Sequence, residues 1–218
     1  MHLPFSKDLN VFIQNDGFLN KDLQSIDSIP LNQRPINQNW SWDKILRSPY
    51  IKQADVLQGF YFFEDHFSKS ELENNFNYYE QFTVHESSLS ACIHSVLASR
   101  INNTEKAYDY YIRASRLDLD DYNKEIKQGL HITSMGGSWM SIIEGFAGVK
   151  IFENKLYLNT NIPEKWDSYS FKLNIKNRKI NVLINKNETK INLLSGEKID
   201  IMLNNQEITI YPKTIKIN

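Results

Sequence analysis

Apolar residues recur at helical spacing along roughly the first two thirds of the chain and at every second position along the last third, so the pattern predicts helices followed by strands. Leu72, Phe76 and Tyr79 repeat at three and four residues, and Ser70 with Glu73 forms a capping-box pattern at the head of that run. Leu89, Ile93, Val96 and Leu97 make a second stripe and Ala107, Tyr111, Ala114 and Leu117 a third. Trp139, Ile142, Ile143 and Phe146 mark a last helix closed by Gly148. Pro49 is placed to open a short helix running from Ile51 to Gln58. Ahead of it the first 48 residues lack a period and carry breakers at Asp16-Gly17, Pro30 and Pro35. A loop of that length usually wraps something or lines a site. From Lys150 the period is two, through Phe171, Leu173 and Ile175, Ile180, Val182 and Ile184, Ile191 and Leu193, Ile199 and Ile201, and Ile208 and Ile210. Turn-forming triplets such as Lys176-Asn177-Arg178 and Asn204-Asn205-Gln206 separate these runs, which predicts an antiparallel meander buried on one face. Successive helices with no strand between them exclude a βαβ fold, and the expected class is α+β, helical over 1–149 and β over 150–218.

Composition and charge add little to this and exclude much. The net charge of -1 conceals an asymmetry, 13 basic against 19 acidic residues over 1–149 and 12 against 7 over 150–218. The lysines of the basic part alternate with Ile and Leu as the outward positions of strands do, and no stacking aromatics accompany them, which speaks against a nucleic-acid partner. The apolar runs are only a few residues long, so no membrane span is expected, and residues 1–10 lack the pattern of a secretory signal. The expected compartment is the cytoplasm. Cys92, alone and inside an apolar-periodic segment, reads as a small buried hydrophobe with no partner for a metal site.

Three polar strings stand out against the apolar pattern. The first, 39–55, sets Trp40, Trp42 and Tyr50 beside Lys52 and Gln53, a composition suited to the apolar faces and hydroxyls of a sugar, and equally to ordinary aromatic packing. The second, 83–90, gathers Thr83, His85, Glu86, Ser87, Ser88 and Ser90 at the start of a strong helix, where capping alone would account for them and anion or sugar binding is the alternative. The third, 129–139, leads from Gly129 and His131 through Ser134, Gly136 and Gly137 into the last helix, as either a plain turn or an oxyanion cradle.

In order and spacing, "NQNWSWDKILRSPYIKQADV" at 37–56, "YEQFTVHESSLS" at 79–90 and "GLHITSMGGSWMSIIEGFAG" at 129–148 resemble glycoside hydrolase family 65, whose inverting phosphorylases act on maltose, kojibiose, trehalose or nigerose. The resemblance covers nearly all of this chain and about the last third of the family's usual length. It implies part of an (α/α)6 catalytic barrel over 1–149 and a small C-terminal antiparallel β-sheet domain over 150–218. It also implies a single displacement in which phosphate, the co-substrate, attacks an α-linked glucose disaccharide to give β-glucose 1-phosphate and a second sugar, with no cofactor and no metal. An inverting glycosidase needs an acid and a base; phosphate is already a nucleophile, so an anion cradle replaces the base. By matching positions, Lys52 and Gln53 hold the glucose and Glu86 contacts the second sugar. His131 binds phosphate, with Ser134, Gly136 and Gly137 as neighbours and Ser87 and Ser88 as further candidates. The family's general-acid glutamate lies upstream of the first residue here, and Asp55, Glu64 and Glu86 do not match its motif. The chain alone is therefore expected to be inactive, to self-associate or to pair with a separate N-terminal fragment. The alternative is a non-catalytic remnant that binds a sugar or a partner.

Overall fold

The computed structural model describes residues 4–212. Backbone contacts divide the chain into two compact units, one ending at Ser141 and the other beginning at Ile142.

The first unit opens with a small hairpin, β1 (Phe5–Ser6) against β2 (Val11–Phe12), and a series of 3-10 turns. Seven α-helices follow among the described residues: α1 (Ile36–Asn39), α2 (Trp42–Arg47), α3 (Val56–Phe62), α4 (Lys69–Glu80), α5 (Ala91–Arg100), α6 (Thr104–Ser115) and α7 (Ile132–Met140). The aperiodic start is thus ordered without a repeating ladder, because side chains satisfy its backbone. Asn75 of α4 accepts from Phe12 N at 2.9 Å, the Tyr79 hydroxyl donates to Phe12 O at 2.6 Å, and Lys21 donates to Ser48 O at 2.8 Å. Phe18, fully buried, closes the segment against the rings of Tyr79 and Phe82.

Two expected helix starts are displaced. The capping box at α4 is Ser68 with Glu71, not Ser70 with Glu73: Glu71 N donates to Ser68 Oγ at 3.2 Å and Ser68 N to Glu71 Oε2 at 2.8 Å. The overlapping S-x-x-E patterns are equivalent locally. The ring of Phe67, 4.2 Å from that of Phe60 and 5.5 Å from that of Phe12, anchors the residue just ahead of Ser68 and selects the first. Pro49 opens no helix. Ile51 instead pairs in parallel with Thr83, accepting from Val84 N at 2.9 Å and donating to Phe82 O at 2.8 Å, and α3 begins only at Val56. A β-branched, buried Ile51 suits that extended pairing better than a helix turn.

The stripes of α5 and α6 also need adjusting. Every residue of α5 from Ala91 to Ser99 is buried, Cys92 among them as expected, whereas Leu89 lies outside the helix and is exposed. Along α6 the buried positions are Ala107, Tyr110 and Ala114, so Tyr110 takes the inward place expected of Tyr111. Ser95 Oγ donates to Ala107 O at 2.8 Å and fastens α5 to α6. The last helix begins at Ile132, ahead of the apolar run, and Ser141–Phe146 adopts π-helical winding.

In the second unit the chain leaves that winding at Gly148, whose positive φ and approach to Asn159 leave no room for a side chain: a Cβ there would lie 2.5 Å from Asn159 O. Seven strands follow among the described residues: β3 (Lys150–Phe152), β4 (Lys155–Leu158), β5 (Ser168–Ile175), β6 (Arg178–Asn185), β7 (Thr189–Ser195), β8 (Ile199–Leu203) and β9 (Gln206–Ile210). Glu153-Asn154, Lys176-Asn177 and Asn204-Asn205 each have two successive positive φ angles, the form that matches strand twist in a two-residue hairpin. The strands do not form the single meander expected. β5-β6-β7 is an antiparallel sheet, while β8-β9 joins a second sheet of order β3-β4-β8-β9 in which β4 and β8 run parallel. Alternation gives each strand an inward face but not its neighbour. Ile180, Val182, Ile184 and Leu193 of one sheet share a core with Leu156, Leu158 and Ile201 of the other and with Ala147, the residue just past the π-helical segment.

Candidate functional site

The parallel pairing of Ile51 with Thr83 lays two of the three strings side by side, and it does so through extended backbone that helical periodicity would not have placed there. Gln53 Oε1 accepts from Ser87 Oγ at 2.9 Å, and the same hydroxyl oxygen accepts from Leu89 N at 3.2 Å. Lys52 is exposed beside them and Ser88 is half-buried. Glu86 is turned elsewhere. It is 5% exposed, and its two oxygens accept from Ile36 N at 2.6 Å and Asn37 N at 3.1 Å, so its carboxylate caps the first turn of α1.

Behind this string lies a polar cluster that the sequence reading did not single out. Burial alone would raise the Glu80 carboxyl, but the hydrogen bonds from His85 and then His94 hold it well below the usual carboxylate range. An ionised carboxylate only accepts. His94 Nδ1 therefore donates to Glu80 Oε2 at 2.9 Å, and His85 Nε2 faces Glu80 Oε1 at 3.4 Å and the Tyr110 hydroxyl at 3.0 Å while Ser90 Oγ meets Nδ1 at 2.8 Å. Burial, with the neighbouring His94 second, pushes His85 down to about 3, so its contact with Glu80 is a hydrogen bond of a neutral imidazole. Glu80, His85 and His94 bring ligand atoms within 4.8 Å of one another, which would suit a metal ion by distance. The surroundings oppose one: Lys106 Nζ stands 3.5 Å from Glu80, the Arg113 guanidinium donates to His85 O at 3.0 Å, and both ring nitrogens of His85 are taken by Ser90 and Tyr110, although His94 Nε2 is buried without a hydrogen-bond partner among the described residues. The cluster instead pins His85, whose φ of 55° is unusual for a residue other than glycine, and so sets the direction in which Glu86, Ser87 and Ser88 leave. His85 was visible in the second string, but its partners lie in other elements, Glu80 five residues before it at the end of α4 and His94 nine residues after it in α5.

The third string forms a separate cluster at the head of α7. His131 is partly exposed. Its backbone N donates to Asp118 Oδ2 at 2.8 Å, its Nδ1 lies 2.5 Å from Asp118 Oδ1, and its Nε2 lies 3.9 Å from Glu125 Oε2. The bond to the ring, then that to the backbone N–H, keeps the Asp118 carboxyl below its ordinary value. Ser134 is buried and donates to Ala114 O at 2.8 Å, so its hydroxyl fastens α7 to α6. The two glycines differ. A Cβ on Gly136 would meet nothing within 4 Å, whereas one on Gly137 would come within 2.5 Å of Cys92 Cβ, so Gly137 allows α7 to approach α5. Through that contact the helices following the second and third strings are neighbours.

The chain resembles known proteins along nearly its whole length. The model of the glycosyl hydrolase family 65 central catalytic domain matches residues 1–140, and that of the family's C-terminal domain matches 149–210. The chain is 47% identical to a maltose phosphorylase of Bacillus subtilis over 96% of its length and 40% identical to an α,α-trehalose phosphorylase of Thermoanaerobacter brockii over 99%. A solved structure from the human microbiome, provisionally assigned as a kojibiose phosphorylase, superposes on 97% of the chain with a TM-score of 0.91 and 36% identity. The chain spans about 28% of the length of each of these proteins.

Proposed function

Because this chain belongs to glycosyl hydrolase family 65, we propose that it is the C-terminal part of an inverting α-glucoside phosphorylase, carrying glucose- and phosphate-binding residues and lacking the general acid. In this reading residues 1–149 belong to the catalytic barrel and 150–218 to the appended β domain. Lys52 and Gln53 hold the glucose at the cleaved bond, and His131 binds the attacking phosphate with Ser87, Ser88 and the Gly136 backbone as further partners. The observation that carries the reading is the join between strings, Ile51 on Thr83 and Gln53 on Ser87, which puts a lysine, two amide or hydroxyl side chains and a helix start on one short stretch. Ser134, Gly137 and Glu86 have packing or capping bonds of their own, so any ligand contact from them is added to a structural duty.

The family reaction transfers a glucosyl unit to phosphate with inversion, and the leaving oxygen needs a proton. Loss of a general acid costs typically about 100-fold to 10,000-fold. The protein is cytoplasmic in this reading, and no helix among the described residues is long and apolar enough to cross a membrane. The apolar residues α7 presents outward, Ile132 at 69% exposure and Trp139 at 56%, would be covered by the remainder of a barrel, supplied by an N-terminal fragment or by self-association. The purified chain, incubated with maltose, trehalose, kojibiose or nigerose and phosphate, is expected to release no β-glucose 1-phosphate alone and to release it when the N-terminal portion of a family member is added. Phosphorolysis by the chain alone overturns the assignment of the acid. Failure of every N-terminal portion that folds and binds this chain favours the non-catalytic remnant.

A further inference from the structure

The loop before α7 carries three aspartates that the proposed function leaves unused, and the structure gives each a different partner. Asp120 pairs with Arg116, through Nε at 2.8 Å and a terminal nitrogen at 2.7 Å. Asp121 accepts from the backbone N of Glu125 and Ile126 at 2.8 and 3.2 Å and so shapes the return of the loop. Asp118 alone reaches His131, and it does so twice, with one oxygen on the backbone N–H and the other on Nδ1.

Resting on the reading of His131 as a phosphate ligand, we propose that Asp118 is the positioning residue of the anion site: its carboxylate holds His131 by the backbone N–H and by ring Nδ1 and reserves Nε2 for a phosphate oxygen. The argument is one of valence. An ionised carboxylate has no proton to give, so a hydrogen bond at 2.5 Å requires the proton to sit on Nδ1. A neutral imidazole with its proton on Nδ1 has a bare lone pair at Nε2, and that nitrogen shares one proton with a phosphate oxygen, whether the proton comes from the phosphate or from the solvent. The backbone bond fixes the Asp118 carboxylate beside the base of the side chain, so the ring can neither turn away nor exchange its nitrogens without breaking the charge-assisted bond at Nδ1. The other titratable group facing the ring is Glu125, 3.9 Å from Nε2 and beyond hydrogen-bond reach. It leaves the nitrogen available. His85 is arranged the opposite way, with Nε2 toward Glu80 and Tyr110 and Nδ1 toward Ser90, and serves as an internal reference.

The test uses the full 218-residue chain labelled with 15N in histidine, read in solution or, if the chain self-associates, on the sedimented protein, with His131 identified by the His131→Asn variant. Read at about pH 8, where a free imidazole is neutral, the expected result is a His131 with its proton on Nδ1, the minor form of free imidazole in water. Asp118→Ala is expected to return it to the Nε2 form, and Asp118→Asn, which keeps an acceptor oxygen, to retain the Nδ1 form. Asp120→Ala, in the same loop, should leave His131 as it is, and His85 should not change in any of the three. Added inorganic phosphate should move the Nε2 signal of the wild-type chain, with at least tenfold weaker binding in Asp118→Ala. A wild-type His131 carrying its single proton on Nε2 instead of Nδ1, or one that keeps its tautomer in a folded Asp118→Ala chain, overturns the role of Asp118. A wild-type Nε2 signal indifferent to phosphate, with the tautomer as expected, overturns the reading of His131 as a phosphate ligand instead.

Discussion

Two histidines in the first unit show how differently one residue type is used. His85 is buried, holds partners on both ring nitrogens and has its carbonyl taken by Arg113, so nothing about it is left for a ligand. His131 is partly exposed, has one nitrogen clamped by Asp118 and the other out of hydrogen-bond reach of Glu125. The first arrangement lends stability and direction to a loop. The second preserves a usable nitrogen. What separates them is not the histidine but the number of fixed partners its surroundings supply.

The comparison can be broken most forcefully at Glu80. Glu80→Ala removes the acceptor shared by two buried imidazoles and is expected to cost about 3 kcal/mol, with a fall in thermal midpoint of roughly 6–12 °C in a domain of this size. A loss under about 1 kcal/mol in a denaturant titration would show that the cluster is not a structural anchor. Next comes the glycine pair at the head of α7. Gly137→Ala forces a Cβ against Cys92 and should destabilise by about 2 kcal/mol, while Gly136→Ala, with open space and helical backbone, should be neutral or stabilise by up to about 1 kcal/mol. Equal effects at the two positions would contradict the close approach of α7 to α5.

The pH dependence sharpens the contrast further. His85 is depressed to about 3 in the folded chain, against an ordinary value of 6.5, so the unfolded chain takes up its proton first as the pH falls. Its contribution is fully present above about pH 6.5 and is lost between there and pH 3, with the lowered Glu80 adding a loss of the same sign below 4.5. Stability measured from pH 8 down to 5 should therefore stay level and then decline. An His85→Asn chain, whose side chain does not titrate and whose residue type tolerates positive φ, should decline less over the same range. The smallest effect on stability is expected at the other histidine: His131→Asn should change the unfolding free energy by no more than about 1 kcal/mol and yet abolish the response to phosphate. A large destabilisation there would make His131 another anchor and erase the contrast.

Much of this protein was determined by its sequence read alone. The change of period from helical to alternating near Lys150, the hairpin turns at Lys176-Asn177 and Asn204-Asn205, and the burial of Cys92 are local or compositional properties, and the three strings were sufficient to indicate the family. Tertiary structure decided what local pattern leaves degenerate. Two overlapping capping boxes were available to α4, and the packing of Phe67 chose between them. Pro49 permits a helix, but pairing with Thr83 made Ile51 extended and so brought Gln53 to Ser87. Alternation told which strand face turns inward but not which strands are neighbours, so the parallel join of β4 to β8 was not legible. For the site, residue types marked His131 and Ser87 as candidates. Only the fold showed that Asp118 clamps one, that Gln53 meets the other, and that Ser134 and Glu86 spend their polar atoms on α6 and α1. The reason is physical: a side chain's chemistry is fixed by its type, while which lone pairs and protons remain available depends on partners that long-range packing delivers.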